Sequence, residues 1–319
     1  MLVSAAALCG FPGEASAQEK FPIKEVKLVV PFTPGGITDL TARVIAKHLT
    51  KLWGQNVVVE NMPGGGGTKG TMYVLDAPKD GYTMMLSATG QATQNPAIDT
   101  KLPYKWDQPT LVARTNVSPL VFVVNGDSPW NSLSDVISDV AKDPAKYKYG
   151  TSGPGGVGSI AISLLLGGNG VDLQKLGKET LQGGAGILDA VIAGKTHFAA
   201  QYLAEMEPQL KDKSLKPLAV STAQRVKQLP NTPTGKEAGY PGFSLIGWNG
   251  IVGPAYLSGE VVSNWTDAIK RLVADPAFVA ETEASGAEVA YLGPAAFKEA
   301  LRVEYEEAVK QVEKLGLRR

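Results

Sequence analysis

The chain has 319 residues, of which 44% are hydrophobic, so it is long enough for two domains and too apolar to be generally disordered. Lys and Arg together number 31, as do Asp and Glu, and the formal net charge is zero. This balance excludes the strongly basic surface with which proteins bind nucleic acids or acidic membranes.

The N-terminus has the pattern of an export signal. Residues 2–11 form a short apolar run, and Ala15 and Ala17 flank Ser16 in the small-x-small arrangement that signal peptidases cleave. We therefore predict a signal peptide over residues 1–17, cleavage after Ala17, and a periplasmic protein. The single cysteine, Cys9, lies in this segment, so the mature chain has no thiol for disulfides, metal ligands or nucleophilic catalysis.

Strands and helices alternate along the mature chain. An apolar run at 26–32 ends in the turn 33–36, and apolar residues then recur at helical spacing from Leu40 to Leu52. Strands followed by Gly, Ser and Thr turns recur at 57–67, 82–91 and 148–158. This alternation predicts an α/β fold of mostly parallel sheets flanked by helices, in which ligands bind beyond the carboxyl ends of the strands.

Two apolar runs, near 120–124 and 218–220, are interpreted as crossings between domains. They predict a discontinuous first lobe of residues 22–122 and 223–319, and an inserted second lobe of residues 123–222. The two connections would form a hinge. An amphipathic stripe from Phe297 to Leu315 predicts a final helix packed on the first lobe.

Three segments in the first part of the chain carry a family resemblance. They are 29–39 (VVPFTPGGITD), 54–67 (GQNVVVENMPGGGG) and 77–83 (APKDGYT). With looser matches at 149–153, 218–221 and 237–243, they resemble the Bug-type substrate-binding proteins of tripartite tricarboxylate transporters. The resemblance implies a two-lobed periplasmic-binding-protein fold, type II-like, that closes on a small organic acid and presents it to membrane subunits.

The glycine-flanked turns of the first lobe are the candidate carboxylate site. Backbone N–H groups at a helix N-terminus, with the helix dipole, hold a carboxylate without any Arg or Lys. In the family, the corresponding turns hold one carboxylate, partly through water. The candidate residues are Thr33, Pro34, Gly35, Gly36, Thr38, Asp39, Ser87, Ala88, Thr89 and Gly90. Asp39 has two interpretations. Its carboxylate either caps the helix, a role also open to Thr38, or contacts the ligand or a bridging water directly.

The second lobe would meet the far end of the ligand. The resemblance places Thr151, Ser152 and Gly153 there, although a simple strand-to-helix turn is the alternative. The sequence departs from the family pattern at 178–184, so the distal contacts do not carry over directly. Two further distal candidates each place an aromatic residue beside an amide: Gln201 with Tyr202, and Trp248 with Asn249. The alternative for both aromatic residues is packing in the core.

The sequence does not support dinucleotide, metal or cofactor binding. The segments 65–70 and 153–158 match G-x-G-x-x-G, but no acidic residue ends the next strand, which argues against dinucleotide binding. His48 and His197 lie in apolar surroundings and are interpreted as structural, so neither a metal nor a cofactor is predicted. We predict a monomeric binding protein for a small carboxylic acid, specifically an aliphatic or aromatic dicarboxylate. The alternative is an exported α/β enzyme that uses an Asp or Ser in the same cleft.

Overall fold

The computed structural model describes residues 21–153 and 156–318, and the predicted signal peptide lies outside these ranges. The strands are β1 Val26–Val30, β2 Val57–Asn61, β3 Thr83–Ala88, β4 Thr110–Ser118, β5 Leu120–Asn125, β6 Lys148–Thr151, β7 Gly177–Thr180, β8 Phe198–Tyr202, β9 Leu215–Val220, β10 Gly247–Gly253 and β11 Glu288–Leu292. The helices are α1 Ile37–Trp53, α2 Thr68–Leu75, α3 Asn95–Ile98, α4 Leu133–Lys142, α5 Val157–Gly168, α6 Gly183–Ile192, α7 Glu207–Lys211, α8 Gly259–Val273, α9 Pro276–Ala284 and α10 Pro294–Lys314. Within the described ranges, every helix is too short or too polar to cross a bilayer.

The strands form two sheets, one in each lobe. The first has the order β11-β4-β10-β3-β1-β2, and the second has the order β7-β6-β8-β5-β9. The two-lobed α/β architecture is confirmed, but the sheets are mixed rather than mostly parallel. In the first sheet β10 runs antiparallel to both of its neighbours, and in the second β5 does the same. In each lobe, one central strand therefore reverses the direction that the alternating pattern predicted.

Continuous apolar runs mark the strands that are covered on both faces. In β5, Leu120, Phe122 and Val124 pack on one face, while Val121 and Val123 pack on the other. β1 divides its side chains between two apolar clusters in the same way. Full burial of such a side chain stabilises the fold by about 1.5–3 kcal/mol relative to leaving it exposed. These two strands therefore form rigid centres of the two lobes. The turn that follows β1 is attached directly to one of them.

The chain passes between the sheets at two places that differ from the predicted boundaries. β4 ends at Ser118 and β5 begins at Leu120 in the other sheet, so the predicted boundary at 122/123 falls inside a strand. The return comes later than residue 222. Phe243 is buried in the second lobe, where its ring contacts Phe122 edge to face at 6.0 Å between centroids.

The final helix packs on both lobes. Phe297 and Leu301, near the start of α10, lie against the first sheet. Ala308 and Val312, two to three turns later, pack with Ala97 and Ile98 of α3 in the first lobe and with Ile160 of α5 in the second. The stripe therefore packs on the first lobe along its length, as predicted, and its later part also contacts the second lobe.

Candidate functional site

A cavity of about 610 Å³ lies between the lobes, a volume typical of small-molecule sites. The first turns of four helices border it: α1 and α2 from the first lobe, and α5 and α6 from the second. Unpaired N–H groups and the positive end of the helix dipole meet at such turns. The cavity therefore presents partial positive charge from both sides.

The side chains of this cavity add no cation. Among its described lining residues there is no Lys, Arg or His, and three are acidic: Asp39, Asp99 and Glu205. An anionic ligand would be held by amides and hydroxyls rather than by an ion pair.

Asp39 organises the turn before α1. The N-cap of α1 is Gly36, which makes no side-chain cap, so neither Thr38 nor Asp39 caps the helix in the ordinary way. Instead, Asp39 reaches back: its Oδ2 accepts hydrogen bonds from the Gly35 N–H at 2.9 Å and from Arg43 Nε at 3.0 Å. Its Oδ1 accepts from Arg43 and from Asn61 Nδ2, each at 3.0 Å.

The four hydrogen bonds favour one of the two interpretations of Asp39. Each carboxylate oxygen already accepts two bonds from the protein. Burial alone would raise the pKa of Asp39, but the bonds from Arg43, Gly35 and Asn61 outweigh it and hold the pKa below its usual value. The geometry favours the structural interpretation, and the Gly35 amide is also used internally rather than by a ligand.

The loop after β3 is held by Gln91. Its side chain accepts a hydrogen bond from the Ala88 N–H at 2.9 Å and donates one to Ser87 Oγ at 2.8 Å. Ala88 and Gly90 line the cavity, whereas Ser87 and Thr89 do not. The Thr89 hydroxyl instead accepts the Trp248 N–H at 2.8 Å.

Trp248 and Asn249 lie in the first lobe, on β10, and do not line the cavity. This corrects their assignment to the distal end of the ligand. The Asn249 side chain donates to Thr38 Oγ1 at 3.1 Å, and the Trp248 indole donates to Glu304 Oε2 at 2.7 Å. Both residues therefore support the turns that line the cavity.

Glu304, on α10, is a buried carboxyl with an altered pKa. Burial raises its pKa to about 7, against hydrogen bonds from Thr93, Trp248 and Gln94 and the charge of Arg114, which lower it. The pKa of glutamate in an unfolded chain is about 4.3. Between these values the folded protein keeps a proton that the unfolded chain has lost. Its free energy of unfolding therefore falls as pH rises through this window and levels off above it.

The free energy of unfolding should fall between pH 5 and pH 8 by about 1–3 kcal/mol less in Glu304→Gln than in wild type. Urea denaturation of wild type and variant at both pH values measures it, and the slope that remains includes the contribution of Glu205, whose pKa burial also raises to about 7. Glu307→Gln, a neutralisation three residues on at an exposed position, is the control and should keep the wild-type slope. Equal slopes in wild type and Glu304→Gln would contradict this assignment.

The second lobe provides the turn after β6. The Gly153 N–H donates to Thr151 Oγ1 at 3.0 Å, and both residues line the cavity with Ser152. Gln201 and Tyr202, at the end of β8, also line it. The Tyr202 ring lies so close to Gly247 that a side chain there would overlap it, and burial raises the pKa of Tyr202.

Eleven of the seventeen predicted residues line the cavity together: Thr33, Gly36, Thr38, Asp39, Ala88, Gly90, Thr151, Ser152, Gly153, Gln201 and Tyr202. The other six lie outside it: Pro34, Gly35, Ser87, Thr89, Trp248 and Asn249.

Sequence reasoning missed several lining groups. The loop of residues 63–68 and the first turn of α5 were expected at this edge of the sheets but not chosen as site residues. Gln91, Asn95, Ile98, Leu102 and the segment 180–184 were also missed. The glycines at 183 and 184, after a strand, were the available signal for that segment. No local pattern points to Glu205.

Both histidines lie outside the cavity. His197 Nδ1 accepts the Lys148 N–H at 3.1 Å. The ring of His48 packs edge to face on Phe278 at 5.4 Å between centroids. In the part of the chain that the structure describes, no three His, Cys, Asp or Glu residues are grouped as a metal site would need.

A family model described as "Tripartite tricarboxylate transporter family receptor" matches residues 41–316. The chain belongs to this receptor family. Its Bug-type character is supported by the periplasmic binding protein BugD, which is 28% identical, with a TM-score of 0.85 over 93% of this chain and 99% of that one.

Two further structures from Rhodopseudomonas palustris resemble this receptor. MatC with bound malate is 27% identical, with a TM-score of 0.84 over 92% of this chain and 100% of that one. Rpa4515 with adipate is 29% identical, with a TM-score of 0.86 over 93% of this chain and 98% of that one. The receptor thus shares its two-lobed fold with these three proteins over more than nine-tenths of its chain.

Proposed function

We propose that this receptor is a periplasmic protein that captures a small carboxylic acid in the cavity between its lobes. It would act as a monomer and deliver the acid to the membrane subunits of a tripartite tricarboxylate transporter. Family membership supports the transporter role, and MatC and Rpa4515 hold malate and adipate. Carboxylate is the chemical group that these two ligands share.

One observation carries the proposal: four helix N-termini border a cavity whose described lining has no cationic side chain. Amides at helix N-termini bind anions, and they do so strongly where water is excluded. The proposed carboxylate position is at residues 33–38 and 88–90 of the first lobe. The other end of the acid would lie near Thr151–Gly153 and Gln201.

Capture requires the lobes to close on the acid. The two connections between the lobes, at Pro119 and in the segment 221–246, are the proposed hinge. A ligand shifts this equilibrium only by the difference between its affinities for the closed and open forms. Contacts from both lobes supply that difference.

A thermal-shift panel of aliphatic and aromatic mono-, di- and tricarboxylates tests the proposal. An acid present at about 100 times its Kd should stabilise the fold by about 2.7 kcal/mol, which gives a clear rise in Tm. Stabilisation by neutral sugars alone would contradict it. Mass spectrometry of acids incubated with the protein tests the alternative of an exported enzyme, and we expect them to be recovered unchanged.

We expect Gly36→Val to weaken binding of the best acid at least tenfold while leaving the fold intact. Gly36 has an extended backbone that suits valine, and a Cβ there would meet only Glu205 Oε1, at 3.5 Å. The added side chain would occupy the proposed carboxylate position. Calorimetric titration measures the affinity.

Gly259→Val is the matched control for this substitution. Gly259 is exposed at the start of α8, with no atom within 4 Å of an added Cβ. We expect it to keep wild-type affinity. Wild-type affinity in Gly36→Val as well would argue against this placement of the carboxylate.

A further inference from the structure

Glu205 connects the two lobes at the N-terminus of α1. It ends a 3-10 turn, Leu203–Glu205, directly after β8 of the second lobe. Its Oε1 accepts a hydrogen bond from the Ile37 N–H of the first lobe at 3.3 Å. A carboxyl group of the protein therefore already occupies one amide of the helix turn at which the proposed function places a ligand carboxylate.

The second oxygen of Glu205 is buried and has no hydrogen-bond partner among the described residues. It lies against the first turn of α6, so close to Gly184 that any side chain there would overlap it. A buried polar atom without a partner is costly, and the cost is greatest for a charged group. Because Glu205 also lines the cavity, its charge needs a partner that a ligand can supply.

The charges around the cavity sharpen this requirement. Arg43, which neutralises Asp39, lies outside the cavity lining, and the lining supplies no cation for Glu205. A ligand with a carboxylate at each end would add two negative charges to a cavity that already holds this carboxyl. A ligand with one carboxylate and one ammonium group would add none.

We propose that Glu205 makes this cavity selective for acids that carry a single carboxylate and an amino group, whose positive charge pairs with the Glu205 carboxylate. This inference rests on the proposed function and narrows its ligand class. It departs from the dicarboxylate expected from the sequence and bound by MatC and Rpa4515. The carboxylate would bind the remaining amides of the first-lobe turns.

Ligands matched in chain length test the inference. Hexanoate, adipate and 6-aminohexanoate share one carboxylate and differ at the far end by a methyl, a carboxylate or an ammonium group. Butanoate, succinate and 4-aminobutanoate form a shorter set, and norleucine places the ammonium beside the carboxylate. Titrations are run at pH 8, above the pKa of about 7 to which burial raises Glu205, so that its ionised form predominates. We expect the best amino-bearing acid to bind at least tenfold more tightly than its diacid and methyl counterparts.

Glu205→Gln tests the role of the charge directly. We expect it to weaken binding of the amino-bearing acid at least tenfold and to strengthen binding of the diacid. Glu207→Gln is the control, since it removes the same charge two residues on, outside the cavity lining, and should leave both affinities unchanged. Gly184→Ala, whose methyl group would displace the carboxyl, is a second variant and should lower the preference in the same direction.

The outcomes separate this inference from the proposed function. Tighter binding of a diacid by wild type, unchanged in Glu205→Gln, would overturn the role of Glu205 and leave acid capture intact. Failure of every acid in the panel to bind would overturn acid capture itself, and with it this inference.

Discussion

Gly158→Ala should destabilise the receptor by about 3 kcal/mol, the upper part of the usual range for overpacking. Gly158 lies in the first turn of α5, where a Cβ would overlap the carbonyl oxygen of Ala200 on β8. Because that oxygen belongs to the backbone of a buried strand, the helix must move away. Urea denaturation measures the loss, and ligand affinity should fall with it because this turn lines the cavity.

The same helix supplies the control. Gly168, the last residue of α5, is exposed, and an added Cβ would have nothing within 4 Å. Since alanine loses less backbone entropy than glycine, Gly168→Ala should stabilise the protein by up to about 1 kcal/mol. Equal effects of the two substitutions would show that α5 does not approach β8 as closely as described.

Asp39→Asn should lower the free energy of unfolding by about 2 kcal/mol and weaken ligand binding more than tenfold. The amide would place a donor where the carboxylate accepts bonds from Gly35, Arg43 and Asn61. A buried donor or acceptor left without a partner costs about 1–3 kcal/mol. Affinity would fall because the turn 33–36 loses its support. Denaturation and titration on the same samples measure both effects.

Two further substitutions separate the causes. Asp172→Asn changes an exposed residue that pairs with Lys175 and accepts the Gln174 N–H at 3.0 Å. Because asparagine keeps an oxygen that can accept this N–H, the substitution should cost less than about 0.5 kcal/mol. Arg43→Gln removes the guanidinium but keeps the Gly35 bond to Asp39, so affinity should fall less than threefold. A loss of binding in Asp39→Asn without any loss of stability would instead indicate that Asp39 contacts the ligand.

Local patterns predicted the elements that local physics determines. The β1 strand, its glycine turn and α1 were predicted because burial on two faces, chain reversal and helical periodicity each leave a signature within a few residues. The same reasoning placed Thr33, Gly36 and Thr38 in the cavity lining. The antiparallel course of β10 was missed because it depends on where the chain returns from the other lobe.

Contacts across long sequence separations were beyond that reasoning. Glu205 meets Ile37 across 168 positions, and Trp248 meets Glu304 across 56. An aromatic beside an amide after a strand looks the same in sequence whether it faces a ligand or a support network. Only the strand order distinguishes Tyr202, which lines the cavity, from Trp248, which does not.

The ring of helix N-termini around the cavity has a consequence for divergence within the family. Every residue except proline offers the same N–H, so point substitutions rarely delete such a donor. A binding site made of main-chain amides can persist while the surrounding side chains change, as the 27–29% identities to BugD, MatC and Rpa4515 allow. Ligand preference can then change through single side chains such as Glu205, while the main-chain amides at the helix N-termini stay the same.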